Sequence, residues 1–505
     1  VFYNLGYHLS FWIGQGGSFV GVQIVYAVLW WARGFLAFLI VRALLPRHQL
    51  LAALTGVLVL VQASDHALNW VGQLNQFGTI FWMILAFYVL VLALRTPSAV
   101  GAAIGAVLAS LFAYMSLWSY ESPLFMILAF PVIVLVVRFG WSRRTVLISA
   151  VFYIPPVIYA WDNLRRYTSS GSGAIYQESV ARSSYAPGPL LHDLWFNVWS
   201  ALNFTSWGSH MPPVSASGEQ TLLSLGGAAV AAGGIAVIGY RALRRGEPIV
   251  PERRPLLLAF AVGLILLVLS FPAYLALSDA DSLWRTQFLG GLGSGVVLAT
   301  VAGLAALAAR RRWLQVGLAA VAAGLVSYFG VQASFTMASF HYANWQRTRT
   351  AMAEVVGFAH WLKPDTLVVL TGVPNGSSAL GSSDPFGDNM WFDMSMRLAY
   401  PHDPVVGAYF YANGSPAPHE NMILTGGQWV ANGTGFPTLV PSIPVANTVV
   451  IQYSPSGVGH LVQEVPEFLR RKDPALATAY HPMSRIEPMP TSAVVRHRYG
   501  PIPAE

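Results

Sequence analysis

Apolar blocks of about twenty residues recur through the first two thirds of this chain, and a soluble fold has no place for them. Twenty residues of helix rise about 30 Å, the thickness of a bilayer's hydrocarbon core. In lipid each block must satisfy its own backbone hydrogen bonds, and that selects helices. Blocks near 20–45, 49–65, 77–95, 98–118, 122–139, 145–163, 222–241, 255–277, 287–309 and 313–337 predict about ten spans, with Pro46, Pro97, Pro248 and Pro251 at the expected turns. Only 10% of the 505 residues are charged, which excludes a disordered or coiled-coil chain, and the absence of cysteine excludes disulfides, thiolate metal sites and cysteine nucleophiles.

The basic residues give an orientation. The formal charge of +7 is nearly all arginine, Lys363 and Lys472 being the only lysines. Arg42, Arg47, Arg95, Arg138, Arg143, Arg144, Arg241, Arg244, Arg245, Arg253, Arg254, Arg310, Arg311 and Arg312 fall in one alternating set of inter-helix connections. The other set holds only Arg165, Arg166, Arg182 and Arg285. The positive-inside bias assigns the first set to the cytoplasm, so the basic balance needs no nucleic-acid partner. Segment 1–19 then lies outside, and its sequence VFYNLGYHLSFWIG lacks the basic start and small-residue cleavage site of a signal peptide. An earlier transmembrane helix upstream of this sequence is the expectation.

The expected organisation is an external juxtamembrane segment (1–19), six helices (20–163), a long external loop (164–221), four helices (222–337) and an extracytoplasmic α/β domain (338–505). In the loop, LLHDLWFNVWSALNF places Leu191, Leu194, Trp195, Val198 and Trp199 at helical spacing, as an interfacial helix would. In the last region TLVVLTG and NTVVIQYS read as strands, MWFDMSMRLAY and GHLVQEVPEFLRRK as helices. The glycines of GGLGSG (290–295) lie inside an apolar block with no preceding strand, so they read as close helix packing and not as a phosphate loop.

Ionisable residues at the outer ends of spans are the candidates for chemistry, because charge near lipid is costly. Asp65 and His66, in VQASDHALNW, form a carboxylate–imidazole pair suited to activating a hydroxyl or holding a metal; helix capping is the structural alternative. Glu121, in LWSYESPLF, stands where one span ends and the next begins, a position the helix dipole also favours. Asp162, Arg165 and Arg166 (WDNLRRY) and Asp279, Asp281 and Arg285 (LSDADSLWR) hold three of the four outer arginines; guanidinium groups suit a phosphate, and Asp–Arg pairing is the alternative. Arg33, inside the first span, is expected to pair with a carboxylate or a lipid phosphate, or to snorkel. Asp384, Asp388 and Asp393 read as surface turns and caps, with no metal-loop spacing.

These features together resemble the GT-C superfamily of membrane glycosyltransferases, of the protein O-mannosyltransferase and lipid-A aminoarabinose transferase type. NLGYHLSFWIGQGGSFVGVQIVYAVLWWARGFLAFLIVRALLP is similar to the juxtamembrane segment and second helix of those enzymes. VQASDHALNWVGQLNQFGTIFWMILAFYVL is similar to their third and fourth helices, with Asp65 at the acidic external turn, and SLWSYESPLF puts Glu121 where many members carry a glutamate. The resemblance implies transfer on the outer face from a polyprenyl-phosphate sugar to a protein, glycan or lipid acceptor. Asp65, His66 and Glu121 then line the acceptor cavity, and Arg165, Arg166 and Arg285 hold the donor phosphate, with Asp162, Asp279 and Asp281 in support. It leaves divalent-metal assistance open. The family's principal catalytic carboxylate lies in the first external loop, whereas residues 1–19 contain neither Asp nor Glu. The competing expectation is therefore a non-catalytic relative serving as a subunit of a larger membrane complex. A transporter fits less well, since neither repeated halves nor broken mid-span helices are evident.

Overall fold

The computed structural model describes residues 20–68, 74–169, 182–209, 217–277, 283–359, 361–375, 384–400, 405–418, 420–432, 440–454 and 459–487. It divides into two compact units at Ala338/Ser339.

The first unit is helical: α1 Val20–Leu44, α2 Gln49–Val61, α3 Leu74–Arg95, α4 Ala99–Ser119, α5 Leu124–Val134, α6 Arg143–Ser169, α7 Pro187–Leu202, α8 Gly218–Arg244, α9 Arg253–Val268, α10 Pro272–Leu275, α11 Gly290–Leu307 and α12 Arg312–Phe358, the last running on past the division. Among the described residues eight helices are long and apolar enough to cross a bilayer, and the shorter apolar stretches Gln49–Val61 and Leu124–Phe139 lie between them. The chain is a multi-pass helical membrane protein. Large apolar side chains such as Val230, Val100, Leu222 and Val321 face outward, as lipid-facing residues do.

Small residues set the helix packing. A Cβ on Gly293 would fall 2.6 Å from the Leu267 Cα, and one on Gly295 would fall 2.8 Å from the Val59 nitrogen. Three of the GGLGSG positions thus bring α11 against α9, α2 and, at Gly291, the Arg33 guanidinium. Cross-helix contacts fix the levels: Thr79 Oγ1 donates to Ser116 O (2.7 Å), Ser110 Oγ to Val151 O (3.0 Å), and Tyr114 faces Tyr159 at 6.3 Å between ring centres. One end of the bundle therefore gathers 62–68, 119–122, 163–169, 200–208, 271–277 and 283–290. The opposite end gathers the arginine-rich connections, where Arg144 bonds to Thr96 O.

One helix departs from expectation. The block 49–65 is helical only to Val61, and 62–68 is irregular, buried and polar. Helix α7 has the expected period: Leu191, Trp195 and Trp199 are exposed, while Asp193, Asn197 and Ser200 point inward.

The second unit is α/β. The closing turns of α12 lead into β1 Trp361–Leu362 and β2 Leu367–Val373, followed by α13 Asn389–Ala399, β3 Val406–Tyr411, β4 Met422–Thr425, β5 Gln428–Ala431, β6 Ser442–Pro444, β7 Thr448–Gln452, β8 His460–Leu461, α14 Glu467–Lys472, α15 Ala475–Ala479 and β9 Ile486–Glu487. The main sheet has order β3-β2-β7-β8, with β2 parallel to both β3 and β7. One face packs on Met352, Val355 and Val356 of α12 and on Phe392 and Met396 of α13; the other packs on Trp429, Ile443 and Leu469. The expected helix GHLVQEVPEFLRRK is instead a short strand and then a helix starting after Pro466, which cannot donate within a preceding turn. Asp388 caps α13 through Trp391 N as expected, whereas Asp384 and Asp393 are buried and hydrogen-bonded, not surface turns.

Candidate functional site

At the polar end of the helical unit, the irregular segment after α2 lies against the turn before α11. Asp65 is 2% exposed, and three main-chain N–H groups converge on its carboxylate: Ala67 N (2.8 Å) and Arg285 N (3.1 Å) on Oδ1, and Gln287 N (2.8 Å) on Oδ2. His66 N donates to Leu283 O at 3.0 Å, so the two segments are fastened at both ends. Arg285 holds φ +70°, a conformation rare for a side chain with a Cβ, and such strain persists where the surroundings over-determine it. Here the Asp65 carboxylate is part of what does so.

A buried polar seam extends from this joint. Gln62 bonds to Ser64, and Ser64 Oγ donates to Gln287 Oε1 (3.3 Å). Gln287 Nε2 donates to Asn197 Oδ1 (2.6 Å) and Asn197 Nδ2 to Asp193 O (2.8 Å). Asp193 closes the seam in an ion pair with Arg182 at 2.5 Å. This explains how α7 faces: its polar side meets the seam and its aromatic side is left exposed. Beside the seam a cavity of about 10 Å³, lined by Ser64, His66, Ser200, Ser206, Trp207 and Leu283, has room for about one water.

Arg33 meets the other end. Its Nη2 donates to Leu60 O (3.3 Å) and Gln62 O (3.1 Å), and its guanidinium lies 3.4 Å over the Trp30 ring. These carbonyls end α2, so Arg33 places a cation at a helix C-terminus inside the bundle. Among the described residues it pairs with carbonyls and an indole face and not with the expected carboxylate.

The other expected residues are placed as follows. Glu121 is exposed in the turn between α4 and α5. Both Asp65 and Glu121 act electrostatically on Tyr274, a buried phenol beside Ser122. Asp65, Glu121 and Arg285 are thus brought to one locality. Asp162 and Arg165 are exposed near the end of α6, the end that the Tyr114–Tyr159 contact aligns with Glu121. Arg166 continues the same helix. Asp279 and Asp281 lie outside the described residues.

Among the described residues no group of three or more His, Asp or Glu side chains is arranged to hold a metal ion. Asp65 itself is occupied by N–H donors, a poor fit to a cation ligand. Sequence reasoning missed Gln62, Ser64, Asn197, Gln287 and Tyr274. Polar residues within an apolar block were the available signal for Asn197 and Gln287. No protein-family model, curated protein or solved structure matches this chain.

Proposed function

We propose that the chain is an integral-membrane glycosyltransferase of the GT-C type, moving a sugar from a polyprenyl-phosphate donor to an acceptor hydroxyl on the extracytoplasmic face of a bacterial cytoplasmic membrane. The observation that carries this reading is that Asp65 binds the main chain of Arg285, and that Asp65 and Glu121 both lie within electrostatic range of Tyr274, at the arginine-poor end of the bundle. Counting α2 and α5 with the eight longer helices gives ten spans, and the charge bias sets the arginine-rich ends toward the cytoplasm. The polar end and the C-terminal α/β unit are then extracytoplasmic.

In this reading the anomeric carbon–oxygen bond to the donor phosphate breaks as the acceptor oxygen bonds to the anomeric carbon. The leaving phosphate gains charge, which fixed guanidinium groups at Arg285 and Arg165 stabilise. Glu121, exposed and carrying a carboxylate, takes the acceptor's proton. Asp65 positions: it holds the Arg285 turn through two main-chain N–H groups of that turn.

The saturation of Asp65 by N–H donors favours a second reading, an accessory subunit that keeps the fold as a scaffold. Photolabelling separates the two. A diazirine polyprenyl phosphate is expected to label the wild-type chain near 283–290, to be competed by unlabelled polyprenyl phosphate, and to label Arg285→Gly weakly. Equal labelling of both proteins, or none that competes, supports the accessory reading.

A further inference from the structure

The arginine-rich end of the helical unit carries a cluster that the orientation of the chain does not explain. Arg241, Arg244 and Arg245 close α8, Arg253 and Arg254 open α9, and Arg310, Arg311 and Arg312 run from the end of α11 into α12. Packing contacts bring these helix ends together. A Cβ on Gly239 of α8 would fall 2.5 Å from Val316 Cγ1 of α12, one turn beyond Arg312. A Cβ on Gly303, near the end of α11, would fall 3.0 Å from Leu256 Cδ2 of α9 and 3.6 Å from Val250 Cγ1. Ile249, 2% exposed, draws the connection between α8 and α9 inward.

All of these arginines are exposed, against two glutamates in the same connections, Glu247 and Glu252. Among the described residues their one ion pair is Arg245 with Glu247, a loose contact at 3.9 Å. Three of them also stand where helix electrostatics oppose them. Arg253, Arg254 and Arg312 occupy the first turns of α9 and α12, the positive ends of those helices, and Glu252 before α9 makes no side-chain cap. The orientation bias asks for basic residues in a connection, but not for cations on positive helix ends. Such a placement favours an anion from outside the chain. Apolar surface continues directly from the arginines: Leu257, Leu258, Trp313 and Leu314 are exposed, and the Arg244 guanidinium lies 4.8 Å over the exposed Tyr240 ring. The anion that meets guanidinium groups and a lipid-facing surface at once is a phospholipid.

We propose that the ends of α8, α9, α11 and α12 form a binding site for an anionic phospholipid. The two phosphates of a cardiolipin-type lipid span the arginines, and its acyl chains lie on the apolar surface beside them. The site is at the end of the bundle opposite Asp65. It needs only the membrane-spanning character of the chain, so it stands whether the chain is a transferase or an accessory subunit.

Native mass spectrometry of the full chain, purified in detergent and stripped of lipid, tests it with tetraoleoyl cardiolipin and phosphatidylcholine as probes. Cardiolipin is expected to bind about tenfold more tightly than phosphatidylcholine, and about tenfold more weakly to Arg253→Gln/Arg254→Gln/Arg312→Gln than to the wild type. Arg310→Gln/Arg311→Gln, which lies outside any helix, serves where that variant does not fold, and is expected to weaken binding severalfold. Arg95→Gln/Arg138→Gln/Arg143→Gln removes three charges from other connections and is expected to change binding by less than about twofold. Equal binding of the two lipids, unaltered binding to either glutamine variant when folded, or equal weakening by the variant of the other connections would each overturn the proposal. Displacement of cardiolipin by inorganic pyrophosphate or by polyglutamate at equal concentration would overturn it too, by assigning the arginines to a free anion or an acidic polypeptide.

Discussion

The carboxylate of Asp65 accepts the main-chain N–H of Gln287 at 2.8 Å across 222 positions of sequence, and with Arg285 N it ties the end of α2 to the start of α11. Removing that carboxylate strands three buried N–H groups. Asp65→Ala is expected to cost about 3 kcal/mol, and Asp65→Asn, which keeps one acceptor oxygen, about 1 kcal/mol. Thermal unfolding of the purified protein in nanodiscs measures both, and equal losses in the two variants would contradict the assigned geometry.

The glycine packing makes a sharper contrast. Gly293→Ala drives a methyl group into the backbone of α9 and is expected to destabilise by about 1–3 kcal/mol. Gly226→Ala, in α8 with nothing within 4 Å of the new carbon, is expected to be neutral or to stabilise by about 0.5–1 kcal/mol. The same unfolding assay reads both.

In the α/β unit, burial pushes the Asp393 carboxyl above its ordinary value, against the opposing pull of Gly407 N–H and Arg397. The folded state then holds that proton more tightly than the unfolded chain does. The contribution is fully present below the unfolded carboxyl value, about pH 4, and is lost as pH rises through the folded value. Asp393→Asn is expected to flatten this slope. Urea midpoints at about pH 4.5 and pH 7.5, followed by proteolysis within 389–411, measure it; an unchanged slope removes Asp393 from the account.

The helical frame was legible because its signal is local. An apolar block and its flanking arginines announce a span without reference to anything distant, and the GGLGSG glycines announced packing for the same reason. The joint was half legible. VQASDHALNW shows that Asp65 stands at the end of a span, but the N–H groups that claim it belong to residues 220 and 222 positions away. Arg33 demanded a partner, yet nothing in the sequence says that α2 stops short and offers its last carbonyls. The period of α7 was legible, while the polar seam that receives its inner face was not, being assembled from three other segments. In the α/β unit the continuous β-branched runs of β2 and β7 identified themselves. The four-residue strands β4 and β5 alternate too briefly to be seen, and the aromatic VGAYFY of β3 lacks a β-branched run.

The central claim is tested most directly by sugar transfer from a panel of polyprenyl-phosphate monosaccharides, comparing the wild-type chain with Arg285→Gly. At φ +70° glycine relieves the backbone while removing the guanidinium, so unfolding temperature is expected to hold or rise as transfer falls by about a hundredfold. Transfer at the wild-type rate by a folded Arg285→Gly protein, or no transfer by the wild type from any donor of the panel, would contradict the account.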